Sequence, residues 1–386
     1  MAAPTPGHRT ALLDWLACAA GGREQRAARA ARALGNELGE RIAAAGTAGH
    51  VLDYDDTYLP GLAHLSAPVA PVAVLLGAER GATAGEALAA FAAGFEFAGR
   101  LTGANHPRLR APGWHPTAVA GAPAAALTAA LLLGLDEERT AHALRFALLQ
   151  ASGLRAAFGS DGKSLQVGRA AAAGLAAARL AEAGATASAE IERGEAGFEQ
   201  AYGARWVEPG PNDPPAASEN WIKAYPCCLQ THGAIEAAAQ AREAGLEPGA
   251  ALTITVHPVS LHAASLGPDV ADGLQAKFSI PYLTAYSLLH GPPRLAAFDA
   301  VDDAARALAH RIELRTDDTL LESEAVLEAG GERAGHVEGA LGSPARPMDE
   351  AALRAKLREL AGSRLDGALD DLGVPAAALA AAAGLP

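Results

Sequence analysis

Lysine is nearly absent from this chain of 386 residues. Of its 31 basic residues, only Lys163, Lys223, Lys277 and Lys356 are lysines. Cysteine is scarcer still, at three residues (Cys18, Cys227 and Cys228), which excludes a disulfide framework. The adjacent pair does not read as a metal site either. Neighbouring side chains rarely reach one ion together, and no second pair stands at ligand spacing. Aromatic residues make up 5%, so the core is not built from large rings. Positive charge is outweighed: the formal net charge is −13, with no local basic stripe, which argues against nucleic acid as a partner. The start, "MAAPTPGHRT", lacks a basic segment followed by an apolar one, so the expectation is a cytoplasmic protein. There is no G-x-S-x-G, the elbow of serine hydrolases. One charge-free run, Thr117 to Leu135, has the length of a membrane span. It is rich in Ala and Gly and interrupted by Pro123, so a buried helix is expected and no membrane partner.

What is abundant is alanine, in a chain half apolar. The length suits two or three domains with a large core. From residue 11 to about 205 the pattern is helix after helix. "GEALAAFAAGFEFAGRL", "ERTAHALRFALLQASGL" and "GRAAAAGLAAARLAEAG" each show helical spacing of apolar residues. "PGPNDPPAASEN" (209–220) marks a boundary. Beyond it, "ALTITVHP" (251–258) and "HRIELRTDD" (310–318) read as strands, and "SEAVLEAGGERAGHVEGAL" as two strands around Gly330-Gly331. Helices return at Pro347. The expected fold is mostly α: a large all-helical domain formed by residues 1–220 and 347–386, with a smaller α+β domain, 221–346, inserted between.

Where arginine is the default cation, a lysine reads as needed for itself. It is a compact charge that suits catalysis or carboxylate binding in a closed site. Lys356, in the amphipathic "EAALRAKLREL", reads as an ordinary helix residue. The other three lie in Gly- or Pro-marked polar breaks between apolar helices, where a scaffold presents side chains to a ligand. Five such segments stand out: "HVLDYDDTYLPGLAHLS" (50–66), "PGWHPT" around His115, "FGSDGKSLQVG" with Lys163, "NWIKAYPCCLQTHG" with Lys223 and His232, and "AKFSIPYLTAYS" with Lys277 and Tyr282. Asp55 and Asp56 read as holding the loop or capping the next helix. His232 either faces a ligand or packs against the helix that follows. Tyr282 is either a catalytic hydroxyl or a core aromatic.

Two motifs mislead. "DYDDT" fits the D-x-D-x-T nucleophile of a Mg-dependent phosphatase built on Asp53 and Asp55, but the upstream texture is helical and no βαβ alternation follows. "GSDGKS" lacks the first Gly of a phosphate-binding loop, since Ala157 stands there. Without metal or nucleotide signals, lysines and histidines gathered in an apolar protein imply an anionic ligand with several carboxylates. A set of His, Asp and Tyr implies proton transfer at a carbon next to a carboxylate, with cations stabilising the charge that develops. No metal is expected.

These residues carry a resemblance. "HVLDYDDT" with a following His-x-Ser, "GWHPT", "FGSDGKSLQVGRAA", "GEAGF", "YPCCLQTH" and "KFSIPY" stand in the order seen in the MmgE/PrpD family, which includes 2-methylcitrate dehydratase, cis-aconitate decarboxylase and iminodisuccinate epimerase. The resemblance spans nearly the whole chain. It implies a helical domain with an α+β lid, a homodimer, and no cofactor. By matching motif it implies that Asp53, Thr57, His64, His115, Lys163, Lys223 and Tyr282 face the substrate. Asp53, His64, His115 and Tyr282 would be catalytic, Thr57, Lys163 and Lys223 substrate-binding, with His232, Lys277 and Gln166 as further candidates. The chain departs from the family pattern at Leu65, where H-P-S is common, and at Gln166, where K-P-L-H is common. By comparison with the family pattern, most of a first helix is expected to be missing at its start. The expected function is a lyase of a citrate- or aconitate-like acid, acting by dehydration or decarboxylation. The alternatives are epimerisation of an iminodisuccinate-like acid through the same carbanion, the phosphatase, and a non-catalytic carboxylate-binding homologue.

Overall fold

The computed structural model describes residues 3–247, 249 and 251–386. Two compact units emerge. One contains the chain through Ala156 together with Asp161–Ile222 and Asp349–Pro386; the other contains Ala157–Ser160 and Lys223–Met348.

The first unit is almost wholly helical. Its main elements are α1 (Pro6–Gly22), α2 (Leu38–Val51), α3 (Ser66–Arg80), α4 (Ala84–Gly103), α5 (Pro116–Leu132), α6 (Glu137–Leu148) and α7 (Gly162–Glu182), joined by C-terminal helices Glu350–Ala361 and Ala376–Ala383. Helix α5 is the axis: it packs against α3, α4, α6 and α7, and every residue from Pro116 to Ala130 is buried. That burial explains its uncharged sequence. Among the described residues no helix is long and apolar enough to cross a membrane. Local signals start the helices where the sequence allows. Thr83 and Glu86 form a reciprocal capping box on α4, and the Asp136 side chain accepts from the Arg139 N–H at the start of α6.

Small residues set the distances. A Cβ on Gly46 of α2 would lie 3.0 Å from the Gly168 Cα of α7, and one on Gly168 would lie 2.2 Å from the Ala43 carbonyl oxygen. The two helices therefore cross almost backbone to backbone. This crossing brings the C-terminal end of α2, with His50, beside the N-terminal end of α7, with Lys163. The only strands of this unit among the described residues are β1 (Thr57–Tyr58) and β2 (Asn220–Trp221), paired antiparallel with Thr57 opposite Trp221.

The second unit combines helices α8 (His232–Glu243), α9 (Ile280–His290) and α10 (Asp303–Ala309) with strands β3 (Leu252–Val256), β4 (Ile312–Thr316), β5 (Ala325–Ala329) and β6 (Glu332–Val337). The sheet order is β4-β3-β5-β6; β3 and β4 are parallel, the other pairs antiparallel. In β3, Leu252, Ile254 and Val256 are buried, the alternation expected for a strand with one covered face. Gly330 and Gly331 join β5 to β6 with φ of 61° and 86°, the double left-handed turn that matches strand twist. Helix α8 covers β5 and β6.

Candidate active site

Helix α2 ends in a turn that residues other than glycine seldom make. Asp53 has φ 53°, in the left-handed region. This turn folds the chain back, so that Asp55 returns to the imidazole of His50 in the last turn of α2. The Asp55 Oδ2 accepts from His50 Nδ1 at 2.8 Å and lies 3.2 Å from His64 Nδ1. On the other side of His64, Nε2 is 3.7 Å from Asp53 Oδ1, and that same oxygen accepts from Lys163 Nζ at 2.8 Å. The His64 backbone N–H donates to Thr117 Oγ1 in the first turn of α5, at 3.0 Å. This tie fixes His64 relative to His115, the residue capping α5. The three rings form one cluster. His50 meets His64 edge-on with centroids 4.4 Å apart and lies nearly parallel to His115 at 6.2 Å.

His115 is held from behind by Gln166, one turn along α7 from Lys163. The Gln166 Nε2 is 2.7 Å from His115 Nδ1. Lys163 and His115 thus both stand at N-terminal ends of long helices, where the helix dipole adds to the positive potential and favours an anion.

All of the titratable groups here are buried, with Gln166 half-buried behind them, and burial sorts their charge states. Burial alone would raise Asp55, but His50 and His64 outweigh it and hold its carboxyl well below the usual range. Its neighbour Asp56 goes the other way. Burial first and then the Asp55 charge push it up to about 7, opposed by the Ser66 and Asn220 side chains. His50 is lowered by burial, partly offset by Asp55. His115 falls well below its ordinary value, through burial first and then Lys163, His50, His64 and Arg110. The site therefore combines a fixed cation, an ionised carboxylate between two imidazoles, and a neutral imidazole. That is the separation of acid–base character that catalysis of proton transfer uses.

His50, Asp55 and His64 offer donor atoms within 4.8 Å of one another, the spacing a cation needs. The same carboxylate oxygen lies 2.8 Å from His50 Nδ1 and 3.2 Å from His64 Nδ1, so the three groups equally make a proton-sharing triad. The phosphatase nucleophile fails on its context: a helix, α2, precedes Asp53 where that chemistry needs a buried strand.

Of the residues expected from the sequence, Asp53, His64, His115, Lys163 and Gln166 come together here, with Thr57 buried in β1. The other four belong to the second unit. Lys223 is buried. Tyr282 lies in α9, and its hydroxyl accepts the Asp302 N–H at 2.9 Å. Lys277 stands 4.9 Å above the Phe298 ring. His232 opens α8, edge-on to Tyr225 at 5.0 Å. Three groups were not anticipated. His50 opens the polar 50–66 segment, but nothing in the sequence assigns it a role there. Asp55, read as a loop or cap residue, instead joins two histidines. Lys356, read as an ordinary helix residue, is buried against Asp14 at 2.5 Å and donates to the Tyr54 carbonyl at 2.8 Å. All four lysines are in fact buried, so the rarity that singled out three of them applied equally to the fourth.

Comparison with known proteins also divides the chain in two, although the second match runs past Met348 into residues that belong to the first unit. Residues 41–206 match the model of the MmgE/PrpD N-terminal domain, and residues 225–372 that of the MmgE/PrpD C-terminal domain. Cis-aconitate decarboxylase of Homo sapiens is 32% identical over 212 residues, 51% of this chain and 43% of its own length. The Mus musculus enzyme is 29% identical over 275 residues, 66% of this chain and 55% of its own. That of Aspergillus terreus (strain NIH 2624 / FGSC A1156) is 32% identical over 294 residues, 66% and 59%. The chain spans about half the length of the curated relatives it matches.

Proposed function

The chain belongs to the MmgE/PrpD family, and from that premise we propose that it is a cofactor-independent lyase of a citrate- or aconitate-like acid. Decarboxylation is the favoured exit because the relatives above are cis-aconitate decarboxylases. The observation that carries the reading is the buried Asp53–Lys163 pair beside His64, with His115 at the head of α5.

In this reading Lys163 and the converging helix ends bind one carboxylate of the substrate. The bond from the CH2 carbon of an aconitate-like acid to its own carboxylate breaks and CO2 leaves. The freed electron pair shifts through the adjoining C=C bond into the bound carboxylate as an enolate-like dianion, and the nearby cation and N–H groups stabilise it as it forms. A histidine then returns a proton to carbon, with His64, flanked by Asp53 and Asp55, as the proton carrier. A carbanion of the same kind, formed when a histidine removes a proton from the carbon next to the bound carboxylate instead of by CO2 loss, would expel β-hydroxide in a dehydratase or be reprotonated on the opposite face in an epimerase. The motif resemblance alone supports substrate roles for Thr57, Lys223 and Tyr282, an α+β lid and a homodimer.

The test is incubation of the full chain with cis-aconitate, citrate, methylcitrate and iminodisuccinate in D2O, followed by NMR. The expected outcome is CO2 release from an aconitate-like acid with one deuterium incorporated at carbon, abolished by Lys163→Ala and by His64→Ala. Turnover undiminished in both variants would remove the site from the mechanism.

A further inference from the structure

The hydrogen bonds around Gln166 settle which nitrogen of His115 carries the proton. The Gln166 Oε1 accepts the Leu154 N–H at 2.9 Å, and its Nε2 lies 3.2 Å from the Leu154 carbonyl oxygen. Both ends of the amide are thus matched to one residue's backbone. Reversing it would set N–H against N–H and oxygen against oxygen. Leu154 is itself held, because the segment it belongs to bridges to Trp114 and the His115 N–H donates to the Gly153 carbonyl at 3.0 Å. With the amide fixed, the group 2.7 Å from His115 Nδ1 is an N–H donor. A protonated Nδ1 would face that donor with a second one. The ring must therefore accept at Nδ1 and keep its proton on Nε2.

We propose, on the basis of the lyase reading above, that Gln166 is a positioning residue that locks His115 as the neutral Nε2–H tautomer. His115 then serves as a hydrogen-bond donor to the oxygen of the enolate-like intermediate, not as the base. The groups facing it act in the same direction. Lys163 from α7, His50 from α2, His64 ahead of α3 and Arg110 from the segment before α5 are all cationic or neutral, and each disfavours a further proton. The helix N-terminus at His115 adds to this. A neutral imidazole N–H suits this role because it stabilises charge developing on oxygen without having to be charged beforehand. It also leaves proton transfer to His64, which faces two aspartates. Glutamine does not titrate, so the lock holds across pH, whereas the histidine common at this position in the resembled family pattern could change state.

The decisive measurement needs no substrate. Histidine-labelled full-length protein is examined by long-range ¹H–¹⁵N correlation between about pH 6 and pH 9, with His115 assigned by its loss in His115→Gln. The expected result is an Nε2-protonated, Nδ1-unprotonated ring throughout that range. In Gln166→Glu a carboxylate replaces the donor, Nδ1 becomes protonated, and kcat falls by up to about 10⁴, the cost of a wrong histidine tautomer in a catalytic triad, with KM changed only a few-fold. Gln166→Met, which removes the lock without adding charge, makes the ring sample both tautomers and gives an intermediate loss, and it decides the matter if the Glu variant does not fold. A wild-type His115 protonated on Nδ1, or titrating within the range, overturns the proposal, as does full kcat in Gln166→Glu with the ring flipped. Failure of the wild type to turn over any acid would sink the lyase reading and with it the donor role, while the tautomer spectrum still decides the lock.

Discussion

Lys356, from the first C-terminal helix, donates to the carbonyl oxygen of Tyr54 at 2.8 Å, in the middle of the acidic loop that forms the site. The same ammonium lies 2.5 Å from Asp14 of α1 and 4.1 Å above the Tyr54 ring. One buried cation thus ties the two ends of the first unit to the loop between Asp53 and Asp55.

Replacing this lysine with methionine keeps the stem and removes the charge. The Asp14 carboxylate then loses its cation in a dry environment, where breaking one half of a buried pair costs about 3–5 kcal/mol. Lys356→Met is therefore expected to lower the urea midpoint markedly at unchanged m-value. Adding Asp14→Asn should restore much of the loss, because the stranded charge is gone. Equal stability of the single and double variants would show that the pair carries little.

The helices and the four-stranded sheet were legible because their cause is local. Apolar spacing marked α4, α6 and α7, β-branched alternation marked β3, and Gly330-Gly331 marked the hairpin. The ladder between β1 and β2 was not legible, since two-residue strands leave no period. In the site, Asp53, His64, His115 and Lys163 stood out as polar breaks in an apolar chain. The bond between His50 and Asp55 did not, because it depends on the left-handed turn at Asp53, which an aspartate does not announce as a glycine would. Lys356 escaped for another reason: its partners lie on α1 and in the site loop, and an amphipathic pattern cannot show what meets a helix face from so far along the chain.

Asp55 is ionised between two imidazoles, so its removal should act on chemistry before it acts on fold. In Asp55→Asn the charge that favours protonated His50 and His64 is lost. The kcat on the true substrate is expected to fall by about 10² or more with little change in KM, by analogy with the aspartate that orients a catalytic histidine. Steady-state kinetics beside an unchanged circular-dichroism spectrum would check this. An unaltered kcat would reduce the His50–Asp55–His64 triad to a structural role.

Asp56 predicts a pH dependence of stability with a definite sign. Its carboxyl is pushed up to about 7 in the folded chain from an ordinary value of 3.8. The folded state therefore binds the proton more tightly than the unfolded state. Its contribution is intact below about pH 4 and is lost as pH rises toward 7, by an amount on the order of 4 kcal/mol for full ionisation. Asp55, lowered instead, works in reverse: its contribution is present above its ordinary value and is lost in acid. Asp56→Asn is thus expected to gain stability relative to wild type at about pH 8 and to lose that advantage at about pH 4. A stability difference that is flat across this window would contradict the raised carboxyl.

The crossing of α2 and α7 gives the last test, because two glycines of this region should respond in opposite ways to the same methyl group. At Gly168 the added Cβ would lie 2.2 Å from the Ala43 carbonyl and 2.3 Å from Thr47 Oγ1, which itself donates to Ala43. Neither is the loose end of a flexible side chain, so the helices must part. Gly168→Ala should cost about 1–3 kcal/mol or more as overpacking. It should also lower turnover, since Lys163 and Gln166 ride on the helix that moves. At Gly39, in the first turn of α2, nothing lies within 4 Å of the added Cβ. There the lower backbone entropy of alanine should add about 0.5–1 kcal/mol and leave turnover unchanged. Thermal melts and kinetics of the two variants side by side separate a helix crossing that positions the catalytic groups from a helix that merely contains glycine.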